Sequence, residues 1–267
     1  MLIVGERINT SRKHIRKAVE KRDVKYIQNE AKTQVEAGAT FVDVNSGTSV
    51  AKETEDLKWL VQVVQEAVSV PLCIDSPSAT ALAAALPFHK NGQPMINSIT
   101  AEKQRIAEIL PLVKQYNALV VGLAMGDGGM PSGFEDRKKA VLTILEACEK
   151  AGVSRDRIYF DPVICPVSTK QSEGMAAVET VRFIMSELKG AHTTCGLSNI
   201  SFGLPERTNL NRTFLTLMMA AGLDGVIMDP TEPGMMSTLL ATNVLLGKDE
   251  FCMDYIRAGR AGKLQAH

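Results

Sequence analysis

Short runs of almost wholly apolar residues alternate with longer stretches of one-sided hydrophobic spacing from one end of the chain to the other. The runs occupy residues 2–5, 40–45, 71–75, 94–98, 118–124, 157–161, 193–199 and 225–229, and they are rich in Val and Ile. Strands buried on both faces have this character, because neither face can carry polar side chains. Between them the period changes to that of a helix with one buried face. Leu57, Leu60, Val61, Val64 and Val68 show it, as do Ile106, Ile109, Leu110 and Val113, and Val141, Ile144, Leu145 and Cys148. Gly38 and Gly152 stand where a left-handed residue would close the last turn of the preceding helix.

Eight strands alternating with about eight helices in roughly 250 residues predict an α/β fold, a (β/α)8 TIM barrel. A doubly wound open sheet has the same alternation, since strand order leaves no mark in one sequence. No linker, charge block or low-complexity segment interrupts the pattern, so residues 1–267 read as one domain. The tail 248–267 reads as a final helix packing across the barrel or against another subunit.

Composition narrows the function classes. The chain has 267 residues, with 30 basic and 30 acidic side chains, 45% hydrophobic and 22% charged residues. That balance offers no electrostatic footprint for nucleic acid or an anionic membrane surface. No apolar run reaches the roughly 20 residues of a membrane span. The first residues carry no basic stretch before their apolar core, so no secretory signal is expected. Cys73, Cys148, Cys165, Cys195 and Cys252 are scattered without a Cys-x-x-Cys pair. A reducing, cytoplasmic setting fits them better than a disulfide framework or a structural zinc site.

Polar residues concentrate where the apolar runs end. In order these are Glu6 and Asn9, Asp43 and Asn45, Asp75, Asn97, Asp127, Asp161, Asn199 and Asp229. In a parallel barrel those ends form the catalytic face. A single Asp or Asn after a strand is commonly a turn former or helix cap; so many together predict a pocket lined by acceptors and amides, with little positive charge. Such a pocket suits a neutral heterocycle rich in N–H donors and does not suit a phosphate. His14, His89, His192 and His267 never share ligand spacing, and no metal is expected. The glycine-rich loop 125–133 lacks the Lys-Ser/Thr of a phosphate loop; it reads equally as a connector or as a lid. Met218, Met219, Met235 and Met236 read as core packing.

The motifs Gly5-Glu-Arg-Ile-Asn9, Asp43-Val-Asn45, Ile74-Asp-Ser76, Ile96-Asn-Ser98, Asp161-Pro162 and Gly196-Leu-Ser-Asn-Ile-Ser201 fall in order at successive strand ends. Together they resemble the pterin-binding family of methyltetrahydrofolate:corrinoid protein methyltransferases, similar to the folate domain of cobalamin-dependent methionine synthase. The resemblance runs over essentially the whole chain. It implies a pterin-binding (β/α)8 barrel, usually homodimeric, that holds tetrahydrofolate or 5-methyltetrahydrofolate as substrate. It also implies methyl exchange with cobalamin, a corrinoid, on a partner protein. By motif match Asp75, Asn97 and Asp161 would grip the pterin edge, with Gly196 and Ser198 along the ring. Asn199 and Asp161 would be the catalytic residues, and Glu6, Asn9, Asp43, Asn45 and Arg207 would stand at the rim or behind. Arg207 could equally hold a surface ion pair.

The chemistry of these side chains agrees with that assignment. A pterin presents N3–H and a 2-amino group side by side, which a carboxylate accepts as a fork. Phe202 departs from members that carry a polar residue there. Dihydropteroate synthase shares the pterin grip, but its Ser-Arg-Lys after strand seven is replaced here by Ser198-Asn199-Ile200. A non-catalytic folate-binding barrel is the other alternative. The corrinoid signature Asp-x-His-x-x-Gly is absent, so the corrin is expected on another protein.

Overall fold

The computed structural model describes residues 1–47, 51–232 and 234–264. Eight parallel strands form one sheet: β1 (Leu2–Asn9), β2 (Phe41–Asn45), β3 (Leu72–Asp75), β4 (Met95–Ile99), β5 (Leu119–Leu123), β6 (Ile158–Asp161), β7 (His192–Thr193) and β8 (Gly225–Met228). Their order is β7-β6-β5-β4-β3-β2-β1-β8. A parallel bridge between Gly196 and Ile227 joins the two ends, with Ile227 N donating to Cys195 O at 2.8 Å. The sheet therefore closes as a barrel, and the open-sheet alternative is excluded.

Helices α1 (Lys13–Glu20), α2 (Val24–Glu36), α3 (Glu53–Gln65), α4 (Ala79–Ala85), α5 (Lys103–Gln115), α6 (Gly133–Lys150), α7 (Ser172–Glu187), α8 (Arg207–Ala221), α9 (Met235–Leu245) and α10 (Met253–Arg260) follow in turn. The apolar stripes expected on α3, α5 and α6 face the sheet: Leu57, Leu60, Val61, Ile109, Val141 and Ile144 are all inaccessible to solvent. Gly38 and Gly152 adopt the left-handed backbone expected of them, with φ of 110° and 76°. Met218, Met219 and Met235 are buried in the core, and Met236 packs against it. Gly5 lets α2 approach β1, since a Cβ there would lie 2.5 Å from Gln34 Oε1. Among the described residues no helix is long and apolar enough to cross a membrane, and all five cysteines are free.

Two strands differ from the sequence expectation. β1 runs on to Asn9, through a register shift between Gly5 and Ile8, so Glu6 sits on the strand itself. β7 stops at Thr193, and Leu197–Ser201 form a 3-10 turn in place of the expected strand. Gly196 and the polar pair Ser198-Asn199 break the apolar run 193–199, and such residues favour a turn over a strand.

Strand periodicity sets the interior. Val4, Phe41, Cys73, Met95, Val121 and Ile227 pack together inside the barrel, while Val42, Val44, Leu72, Ile74 and Ile96 face the helices. Alternate residues share a face, so the inward series continue from Val4 to Glu6, from Phe41 to Asp43 and Asn45, from Cys73 to Asp75 and from Met95 to Asn97. Asn45, Asp75 and Asn97 are at one level of the barrel, and Asp43 is level with Cys73 one layer below.

Two arginines reaching in from the helices hold the loops above this layer. Arg105 of α5 donates to the carbonyls of Ser76, Pro77 and Ser98 at 2.6–2.9 Å. Arg137 of α6 is fully buried and donates to the carbonyls of Pro162, Val163 and Gly133, with a 2.7 Å ion pair to Glu173. Val163 holds φ of +57°, a costly conformation for a β-branched residue that its surroundings must impose. Removing Arg137 takes from the buried Glu173 its buried partner, leaving the half-exposed Lys170, 2.8 Å from Oε1, as counter-charge, and strips three carbonyls of their donor. Arg137→Met should therefore lower unfolding free energy by about 3–5 kcal/mol in urea titration; a loss below about 1 kcal/mol would show that the pair carries little.

Candidate active site at the carboxyl ends of the strands

A cavity of about 740 Å³ opens at the carboxyl end of the barrel. Its floor and walls include Glu6, Asn9, Asp43, Asp75, Asn97 and Asp161, and its far side Gly196, Ser198, Asn199 and Arg207. Asn45 stands behind, donating from Nδ2 to Asp75 Oδ2 at 2.8 Å. The structure thus brings ten of the eleven residues assigned by motif match onto one cavity, with the eleventh orienting Asp75, while Asp127 and Asp229 lie outside its lining. Asp127 is exposed on the loop after β5 and lies on a separate groove beside α6. That loop turns tightly, with Gly129 N donating to Gly126 O at 2.8 Å.

The turn-forming role of strand-end side chains is real, and for Asn9 and Asp161 it coexists with a place in the cavity. Asn9 accepts from Ser11 N, Asn45 from Gly47 N, Asp161 from Val163 N and Asp229 from Thr231 N, each two residues on. Asp161 also accepts from Gly196 N at 3.2 Å, which ties β6 to the turn after β7. In that turn a Cβ at Gly196 would lie 3.2 Å from Asn199 Nδ2, so the glycine leaves room for the amide. Among the described residues no hydrogen bond holds the Asn199 side chain, and it is free to turn over. Asn97 hydrogen-bonds to the Asp43 carboxyl.

Sequence reasoning missed Arg12, and with it a correction to the pocket's charge. Arg12 and Arg207 both line the cavity, so its mouth carries two guanidinium groups. Arg12 stands 3.5 Å from Glu6 and 3.5 Å from Asp229. Arg207 donates to Ser198 O at 2.6 Å and Ser201 Oγ at 3.0 Å, and lies 6.0 Å over the Phe202 ring. Among the described residues it pairs with no carboxylate, so the surface ion pair is not formed. Ser76 and Ser98, which follow Asp75 and Asn97, also line the wall; their place in the motifs was the available signal. His14 is exposed, His89 Nε2 accepts from Leu72 N, and His192 bonds Asp224 away from the cavity; His267 lies outside the described residues. Among the described residues no group of three or more His, Cys, Asp or Glu is placed to hold a metal ion.

Desolvation dominates the electrostatics. It pushes Asp75 up to about 6, against the Asn45 bond and the Arg105 charge. Asp161 rises to about 6 for the same reason, opposed by its two backbone donors and Arg137. Glu6 rises to about 7 through burial, opposed by Arg12 and the Ser198 hydroxyl. Asp43 is raised well above the carboxylate range by burial and then by the neighbouring Asp75, and its Oδ1 has no partner. The cavity can therefore receive donors and hold protons near neutrality.

A carboxyl whose folded pKa exceeds its unfolded value binds more protons in the folded state, so its contribution to stability is lost as pH rises through the folded value. The unliganded chain should lose stability between about pH 4 and pH 8 from Glu6, Asp75 and Asp161 together. Asp75→Asn should recover on the order of 1–3 kcal/mol at alkaline pH and less in acid, read from denaturation midpoints. A variant less stable than the parent at both pH values would contradict this electrostatic picture.

Residues 5–229 match the family described as pterin binding enzyme. The chain is 38% identical over 269 residues to the methylcorrinoid:tetrahydrofolate methyltransferase of Eubacterium limosum, covering 99% of this chain and 98% of that one. It is 30% identical over 245 residues to the methionine synthase of Mycobacterium tuberculosis, covering 87% of this chain and 20% of that one. A dihydropteroate synthase from Xanthomonas albilineans, solved in complex with 7,8-dihydropteroate, superposes with a TM-score of 0.71 at 17% identity over 93% of this chain and 94% of that one; at that identity the likeness is one of fold. The chain belongs to the pterin binding enzyme family.

Proposed function

We propose that this chain moves a methyl group between N5 of tetrahydrofolate and the cobalt of a corrinoid carried by a partner protein. The observation that carries the reading is one cavity in which Asp75 and Asn97 share a level, Asp161 stands beside them, and the untied amide of Asn199 faces the same space. The full-length relation to a methylcorrinoid:tetrahydrofolate methyltransferase supports it, and the low-identity likeness to dihydropteroate synthase leaves that reaction without equal support.

In this reading Asp75 and Asp161 accept the N3–H and 2-amino donors of the pterin, replacing the water they have lost with charge-assisted bonds. Asn97 meets the neighbouring donor or acceptor, since a carboxamide presents both. Gly196 and Ser198 line the ring, and Arg207 lies towards the mouth where the folate tail would leave. Asn199 acts at N5, where positive charge develops as the carbon–nitrogen bond forms or breaks. An amide that can turn follows that atom through its protonation states without bearing charge. The corrinoid's cobalt would supply a centre that gives up or accepts a methyl cation equivalent. The same site lowers one transition state in both directions, so direction follows the partner and metabolite levels. The reading places the reaction in the cytoplasm, on a homodimer, with folate as the substrate and no metal held by this chain.

Asn199→Ala tests the reading against a folate binder without catalysis. Single-turnover methyl transfer using free methylcobalamin should slow by roughly two to three orders of magnitude, as when one donor to a developing charge is removed. Folate affinity by calorimetry should change far less, the signature of an interaction made mainly in the transition state. Equal losses in rate and affinity would make Asn199 a ring contact. In the same assay Asp75→Asn should weaken folate binding by about 2–4 kcal/mol, because an amide donor then faces a ligand donor.

A further inference from the structure

Glu6 differs from the other carboxylates of the cavity. In the folate reading Asp75 and Asp161 are taken up by the donor edge of the pterin, and Asp43 lies one layer lower. Glu6 instead spans from β1 to the turn after β7, where its Oε1 and Oε2 accept from the Ser198 hydroxyl at 3.2 and 3.4 Å. Ser198 immediately precedes Asn199, and all three side chains border the same cavity. This contact joins residues 192 positions apart, so it is a product of barrel closure and not of local sequence.

We propose that Glu6, acting through the Ser198 hydroxyl, takes up and returns the N5 proton of tetrahydrofolate during each methyl transfer. The inference rests on the folate reading above and adds a proton path to it. In the direction towards tetrahydrofolate, the N5 lone pair forms a bond to the methyl carbon. The cobalt–carbon bond breaks with its electron pair remaining on cobalt, which is reduced by two electrons as the methyl leaves. The proton on N5 passes to the Ser198 oxygen while the hydroxyl's own proton passes to the Glu6 carboxylate. In the other direction each movement reverses, and the Glu6 carboxyl returns the proton so that N5 departs as a neutral amine.

The surroundings of Glu6 suit a group that must exist in both forms. Burial holds it at about 7, where proton exchange at neutral pH is most effective. Arg12 opposes the rise, while Asp229 and Glu232 from the loop after β8 add to it; Asp43 of β2 and Cys195 ahead of the turn face the same carboxyl. Arg12 is equidistant from Glu6 and Asp229, at 3.5 Å from each, so it does not pin Glu6 as a fixed anion. Asp43 has no contact with the Ser198 hydroxyl and lies one layer below, level with Cys73.

The experiment is the pH dependence of single-turnover transfer from free methylcobalamin to tetrahydrofolate between about pH 5.5 and 8.5. The parent chain should show an inflection near 7. Glu6→Gln should lose that inflection and fall roughly 100-fold at the alkaline plateau, with tetrahydrofolate affinity within about threefold of the parent by calorimetry. Glu6→Asp, which keeps a carboxyl, should retain an inflection at a reduced rate. A Glu6→Gln profile with both inflection and rate preserved overturns the proposal, as does a loss of rate that only follows loss of bound folate. Absence of tetrahydrofolate binding by the parent chain would instead remove the folate reading itself.

Discussion

Asp43 and Asp161 are buried and Asp75 is partly buried at the base of the cavity, and a carboxylate loses hydration there unless donors replace it. Much of the architecture around the cavity answers that loss. Asn45 is turned to donate to Asp75. The backbone after β6 bends so that Val163 N reaches Asp161, and Gly196 N reaches it from the opposite side. Arg105 and Arg137 come from the helices behind, binding the loop carbonyls while their charge draws Asp75 and Asp161 part of the way back towards ionisation. The compensation is incomplete, and both carboxyls stay near 6. In the folate reading the paired N–H donors of the pterin edge complete it, which couples recognition to the electrostatic deficit of these carboxyls.

The same deficit separates the roles of chemically similar residues. Asp43 shares its layer with Cys73 and is pressed from above by Asp75. Burial and that neighbouring carboxyl both raise its affinity for a proton. Glu6, on the neighbouring strand β1 and beside Arg12, is raised only to about 7. One strand position up or down the barrel therefore separates the surroundings of chemically similar acids.

Much of this was legible in the sequence because a barrel strand has a strict period of two. Once Phe41, Asp43 and Asn45 are on one strand, the three must share a face, and the last of an inward series must reach the mouth. The acids at 75 and 161 could be placed for the same reason. The arginines could not. Arg105 and Arg137 sit in helices among polar neighbours, and a long cationic side chain in an amphipathic helix ordinarily faces solvent. Only the closed barrel reveals the loop carbonyls that bury them. Arg12 was missed because its partners Glu6 and Asp229 are drawn together by pairing of β1 with β8. The turn at Leu197–Ser201 read as strand because its apolar residues hid the glycine that ends β7, and its folding into a 3-10 turn is what points Ser198 at Glu6 and frees Asn199.

The central claim is that the folate's donors supply what the buried carboxylates lack, and proton release on binding measures it most directly. Calorimetric titration with folic acid in buffers of different ionisation enthalpy gives the number of protons exchanged. At pH 6, where Asp75 and Asp161 are each about half protonated, binding should release about one proton, falling towards zero by about pH 8. Tight binding with no proton released near pH 6 would show that the carboxyls are already ionised, or do not meet the ligand, and would contradict the account.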